Sequence, residues 1–243
     1  MTSIPPGLAD YLASDRVGAM TLVTLDELTE DEKAATPAWF LDALGEDGPN
    51  GVIAATNHWR SVVPGALDDA ATLFRERAIA LCLAREAERP EELVLIYVLR
   101  SDTEPYTCWY GYIPTDRLDN RTPAQARPGV RVDLTQVSEE LRAFYTQIHD
   151  MFRLSGPLMC GFAPLDELFT LDGDSSDYEY WGEADHQPDP QRLVPVFLSS
   201  NGHLCVERGT DEAWSQDDSI LEPLGDLWPN INTWIRRFTE ARS

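Results

Sequence analysis

The chain has 243 residues, 43% of them hydrophobic, and carries 19 Lys plus Arg against 42 Asp plus Glu, a formal net charge of −23. That length bounds the fold at one domain, or one domain with a large extension, and the apolar fraction supplies a core without disulfides or metal. Charge of this sign argues against nucleic acid and against an anionic membrane surface as partners, because both demand a basic footprint.

The longest apolar stretches, Leu93 to Leu99 and Leu193 to Leu198, are less than half of the roughly 20 residues that cross a bilayer, so no transmembrane helix is expected. The opening MTSIPPGLADYLASDR has two prolines and an acid where a signal peptide would carry a basic start and an unbroken apolar run, which predicts a cytoplasmic protein. A short helix is predicted near Pro6 to Ala13 and an apolar piece at Met20 to Leu25. A second helix follows, with Thr36 as its cap, Pro37 in its first turn and Gly45 at its close. From Ala66 to Glu88 the spacing predicts the longest helix, with Leu67, Ala70, Phe74, Ala78, Leu81 and Cys82 on one face and Pro90 ending it. Two strands come next, ELVLIYVL and YTCWYGYI, joined by SDTEP in a connection that suits an antiparallel hairpin.

Asp119 to Gly129 combines prolines, a glycine and arginines with no apolar periodicity and reads as a linker or long loop. Ser138 is placed to cap a helix whose first turn holds Glu139 and Glu140, where negative charge meets the positive end of the helix dipole. Behind it Leu141, Phe144, Tyr145, Ile148, Met151 and Phe152 draw an apolar stripe. LVPVFLSS, Asn201-Gly202 and HLCVERG form the strongest local signal, two β-prone runs around a dipeptide that tolerates positive φ. Pro195 lacks a ladder donor and so marks an edge strand or a bulge. Ile231, Trp234, Ile235 and Phe238 recur at helical spacing and predict a final helix packed across a sheet.

The four cysteines, Cys82, Cys108, Cys160 and Cys205, are isolated in apolar contexts and read as buried free thiols. Of the four histidines, His58, His149, His186 and His203, none stands in a metal-binding motif, and a GxSxG elbow, a P-loop and a GxGxxG turn are absent. A thiol hydrolase can be drawn from Cys160 and His149, and a calcium loop from the acid-rich run with Asp172, Asp174, Asp177 and Glu179, in which Ser176 and Glu183 fall at the fifth and twelfth positions but Asp177 stands at the sixth, where the loop needs its turn glycine. No cofactor, metal or catalytic residue is expected. The stronger reading is a partner-binding surface, because Ala163 to Leu227 holds 16 acids against Arg192 and Arg208, a net of −14. Asp172, Asp174, Asp177, Glu179, Asp217 and Asp218 would supply the field and Trp181 or Trp214 the anchor.

The pieces LRAFYTQIHDMFRLSG, GFAPLDELFTLDGD, RLVPVFLSSNGHLCVERG, an acidic stretch with Trp214, and LWPNINTWIRRFTEA, in that order, resemble the SUKH superfamily. These Smi/Knr-type proteins include bacterial immunity proteins and fungal cell-wall regulators. The resemblance implies an α+β fold with a mostly antiparallel sheet flanked by helices, with residues 131–243 as the SUKH-like domain. Residues 1–130 would form an N-terminal α/β region without family assignment, or an extension of the same domain. It further implies a protein that works by binding and neutralises a cognate toxin, with a basic nuclease suiting an acidic inhibitor. A regulatory scaffold and a cysteine- or metal-dependent hydrolase stand as alternatives.

Overall fold

Short, largely apolar runs dominate the middle of the chain, and they assemble into one sheet. The computed structural model describes residues 4–14, 19–87, 89–114, 129–156, 160–172, 175–182, 187–200 and 202–241. The strands are β1 (Met20–Val23), β2 (Ala78–Glu86), β3 (Arg89–Leu99), β4 (Thr107–Tyr112), β5 (Phe152–Leu154), β6 (Gly161–Phe162), β7 (Glu179–Tyr180), β8 (Leu193–Ser199), β9 (Gly202–Glu207), β10 (Glu212–Asp217) and β11 (Ile220–Asp226). Their spatial order is β1-β2-β3-β4-β5-β6-β8-β9-β10-β11-β7, and every neighbouring pair is antiparallel except β11 with β7. The helices are α1 (Leu8–Leu12), α2 (Glu30–Ala35), α3 (Ala38–Gly45), α4 (Pro49–Val62), α5 (Asp68–Arg77), α6 (Glu139–Ala143) and α7 (Leu227–Glu240), with α6 running on as a π-helix over Phe144–Ile148. This is the expected α+β architecture, a mostly antiparallel sheet flanked by helices.

Strand alternation sorts the core into two faces. Leu81, Leu83, Leu95, Tyr97, Trp109 and Phe152 point to the face covered by helices, where they meet Phe40, Trp59, Phe74 and Ile235. Ala80, Cys82, Val94, Ile96 and Val98 point the other way, toward Leu8 and Leu12 of α1. Farther along that second face Leu171, Leu193, Cys205, Trp214 and Leu221 make a smaller cluster. The sheet crosses residue 130 without a break, since Trp109 of β4 pairs with Leu154 of β5. α7 ties the last residues to the first half. Its Asn232 side chain accepts from the Ala70 N–H at 2.9 Å and donates to the Ala66 carbonyl at 2.7 Å.

Both expected hairpins form. β3 and β4 pair from Val94 opposite Tyr112 to Leu99 opposite Thr107, and β8 and β9 from Leu193 opposite Glu207 to Ser199 opposite Gly202. The turn was expected at Asn201-Gly202, but Gly202 belongs to β9, opposite Ser199, and Asn201 lies outside the described residues. Gly202 has φ +128°, and a Cβ there would come within 2.8 Å of the Gln216 carbonyl on β10, so the close approach of a third strand also requires glycine. The bulge foreseen at Pro195 is present, as a register shift between Pro195 and Phe197. Ser138 caps α6 by accepting from the Leu141 N–H at 3.3 Å. The linker at 119–129 lies outside the described residues except for Gly129.

Four expectations fail, one of them the helical stripe behind Ser138, which ends at Ile148, so that Phe152 opens β5 instead. The segment from Ala66 to Glu88 holds α5 followed by β2, because Ala80 to Ala84 is apolar at every position and pairs with β3, and from Leu83 onward also with β1, so that strand pairing overrides helical spacing. Pro90 accordingly ends no helix and lies near the start of β3. Thr36 does not cap α3, since its hydroxyl donates back to the Glu32 carbonyl at 2.8 Å and closes α2. α4, opened by Gly48 and Pro49, was not anticipated.

Candidate functional site

Three of the acids singled out in the sequence, Glu179, Asp217 and Asp218, lie at one end of the sheet. β7 lies at the edge and runs parallel to β11, with Glu179 opposite Ile220 and Tyr180 opposite Leu221. β10 in turn places Asp217 opposite Ile220. Asp217, Ile220 and Glu179 therefore form one cross-strand row, and cross-strand neighbours share a face. Two backbone bonds pin the edge, from the Glu179 N–H to the Ser219 carbonyl at 2.8 Å and from the Trp181 N–H to the Leu221 carbonyl at 2.9 Å.

Alternation puts Tyr180 on the buried side and Glu179 and Trp181 on the other, and the Trp181 ring is 55% exposed. Next to it Gly182, at φ +87°, lies against Pro223. Asp218 occupies the left-handed region at φ +51°, in the tight β10–β11 turn, and its carbonyl accepts from the Gln216 side chain. Asx side chains tolerate that conformation better than most. Asp172, Asp177, Glu179, Asp217 and Asp218 are all exposed. The Tyr178 hydroxyl donates to the Asp172 carbonyl at 3.1 Å and the Tyr180 hydroxyl to the Pro188 carbonyl at 2.9 Å, which moor the loop before and after β7. Burial pushes both phenols above their ordinary pKa, with Asp172 contributing for Tyr178 and Asp189 for Tyr180.

Trp214 is not on this surface. Its ring is 3% exposed and packs with Leu171, Leu193, Cys205 and Leu221, edge-on to Tyr180 at 6.5 Å. On β10 Ala213 is buried against the helix layer and Trp214 on the opposite face, so this tryptophan supports the surface from beneath and cannot anchor a partner. Asp174, Glu183 and His186 lie outside the described residues. Among the described residues no group of three or more His, Cys, Asp and Glu side chains is placed to hold a metal ion. No described helix is long and apolar enough to cross a membrane.

The drawn Cys160–His149 pair has no free imidazole nitrogen to use. His149 is fully buried, its Nε2 accepts from the Tyr97 hydroxyl at 2.9 Å, and its Nδ1–H donates to the Tyr112 carbonyl at 3.2 Å. Trp59 Nε1 donates to the same Tyr97 hydroxyl at 3.2 Å, and this fixes the direction of the chain of donors. Burial lowers His149 to a pKa of about 3 and keeps it neutral. All four cysteines are buried, and burial pushes the Cys82 thiol up to about 12.

The sequence did not reveal a second polar constellation, on the face opposite the helices. The Tyr112 hydroxyl donates to Glu86, the Arg89 guanidinium lies 5.6 Å from the Tyr112 ring and 3.7 Å from Glu92, and Arg153 stands 3.8 Å from Glu167. These residues are scattered from 86 to 167, and only strand pairing assembles them.

Compared with known proteins, the chain matches no family model, no curated protein and no solved structure.

Proposed function

We propose that this chain is a non-catalytic binding protein of the immunity type, similar to SUKH proteins, that acts in the cytoplasm and neutralises a basic toxin by covering its phosphate-gripping surface. One observation carries the reading. An exposed tryptophan, Trp181, stands two residues beyond Glu179, which shares a cross-strand row with Asp217, on a sheet edge held by backbone pairing and by half-buried Tyr180 and buried Trp214. An anchor of this kind contributes about 2 kcal/mol or more once desolvated, whereas exposed single charges contribute roughly 0 to 1 kcal/mol each. The charges therefore govern the rate of encounter and the ring governs dissociation.

The test is co-purification with the product of the adjacent gene, followed by association kinetics. Replacing Glu179, Asp217 and Asp218 by their amides should slow association and flatten its salt dependence, because steering is screened over about 8 Å at physiological ionic strength. Trp181→Ala should raise the dissociation rate. A variant set with unchanged rates and salt dependence removes this surface from the interface.

A further inference from the structure

The two bases of the acid-rich region, Arg192 and Arg208, are brought side by side by the β8–β9 hairpin. Arg192 ends a 3-10 helix (Pro190–Arg192) that leads into β8, and Arg208 follows β9, so the pairing of Leu193 with Glu207 continues outward by one residue. The Arg208 N–H donates to the Arg192 carbonyl at 2.9 Å, the Gly209 N–H to the Gln136 carbonyl at 2.8 Å and the Thr210 N–H to the Glu207 carbonyl at 3.0 Å. Three consecutive amides thus pin the turn, and Gly209 supplies its φ of +82°. What remains to meet a ligand is side chains: Arg192, Arg208 and Gln136 line an open cavity of about 430 Å³ together with Gly209.

The charges in this cavity do not cancel. Arg192 Nε lies 3.2 Å from Glu207 Oε1, and Glu207 is buried, so these two neutralise each other. Among the described residues no carboxylate forms an ion pair with Arg208. The acids next to the cavity in sequence are turned to backbone, Asp133 accepting from the Thr135 N–H at 2.7 Å and Asp189 from the Gln191 N–H at 3.0 Å. Gln136 Oε1 accepts from the Asp133 N–H at 3.1 Å, which leaves the amide NH2 as a third donor. β9 pairs His203 with Gln216 and Val206 with Ala213, so Arg208 lies beyond one end of β10 while Asp217 and Asp218 lie at the other.

We propose that this cavity binds the carboxylate of a small organic acid. The Arg208 fork takes both oxygens, the Gln136 NH2 group donates to one of them, and the methylene stems of the two arginines cover the body of the ligand. Charge decides which anion fits. One uncompensated guanidinium balances a monoanion, whereas a phosphate dianion would leave an excess negative charge in a chain whose net charge is already −23. The same far field repels an acidic protein surface with its many charges far more than a small acid with one. The cavity shares no residue with the Trp181 surface, and the proposal stands whether or not that surface binds a toxin.

The probe is benzoate, titrated into the full chain with backbone-amide and arginine side-chain NMR as readouts. The Arg208 Nε–H and the Gly209 amide should shift together and saturate with a Kd of about 1 mM, as suits a small ligand held by few polar contacts. Benzamide, which keeps the ring and lacks the charge, and inorganic phosphate should each bind about tenfold more weakly or less. Arg208→Gln should weaken benzoate about tenfold, and Arg208→Lys, which keeps the charge but not the fork, about threefold. Glu207→Gln removes the negative partner of Arg192 and should raise the affinity for phosphate several-fold more than that for benzoate. The proposal is overturned if benzoate gives no saturable shift at Arg208, if benzamide or phosphate binds the parent chain as well as benzoate does, or if Arg208→Gln leaves benzoate binding unchanged.

Discussion

Tyr97 and His149 are 52 residues apart in sequence and share a hydrogen bond of 2.9 Å inside the core, with the Tyr97 hydroxyl as donor. The bond joins strand β3 to the end of the π-helix, and the His149 ring stacks on Phe152 with centroids 5.2 Å apart. A histidine so held is a structural group with a pH-dependent energy.

His149 has a folded pKa of about 3 against an ordinary 6.5. The unfolded chain therefore binds the extra proton first, and the stabilisation from neutral His149 is complete above pH 6.5 and is lost as pH falls toward 3. Between those limits it declines by about 1.4 kcal/mol per pH unit, roughly 5 kcal/mol in all. Urea unfolding of the parent and of His149→Gln at pH 7, 6, 5 and 4 checks this. The variant is less stable at pH 7, and the gap narrows as the pH drops. A gap that stays constant means that the ring is charged or solvated in the folded protein.

Gly111 is opposite Leu95 and Phe152 in the sheet, and a Cβ there would run into the His149 ring and come within 2.8 Å of the Met151 carbonyl. Gly111→Ala should cost about 3 kcal/mol, at the upper end for overpacking, since the obstacle on one side is backbone. The urea midpoint reports it. A loss below about 1 kcal/mol would show that the ring and strand can yield.

Asn232 satisfies the Ala70 N–H and the Ala66 and Trp228 carbonyls from within α7. Asn232→Ala leaves buried backbone groups without partners and should cost about 2 to 3 kcal/mol. Hydrogen exchange at the Ala70 amide should speed up more than exchange at the remote β8–β9 ladder. Equal acceleration everywhere would mean that α7 does not specifically fasten the N-terminal half.

The two tryptophans of the acidic region should separate cleanly. Trp214→Ala removes a buried ring and should cost about 3 to 5 kcal/mol, whereas Trp181→Ala should change stability by no more than about 0.5 kcal/mol. Thermal denaturation of both variants checks the assignment, and a large loss for Trp181 would place that ring in the core.

Local chemistry by itself determined much of this fold. Asn201-Gly202 between β-prone runs specifies a hairpin through its tolerance of positive φ, Ser138 specifies a helix start through one side-chain bond, and the spacing of Ile231, Trp234, Ile235 and Phe238 specifies the stripe of α7. Acid enrichment around residues 172–218 was likewise legible, because composition needs no coordinates. Tertiary structure alone decided whether Ala78 to Glu86 became helix or strand, since its stretch Ala78 to Ala84, apolar at every position, satisfies both periods and only pairing with neighbouring strands resolves it. It also decided that Trp181 faces outward and Trp214 inward, and that Glu179 meets the row of Asp217 and Ile220 through a parallel pairing about 40 residues long-range in sequence. Such pairings carry no local signature, because their free energy comes from burial and hydrogen bonds that exist only after distant segments have met.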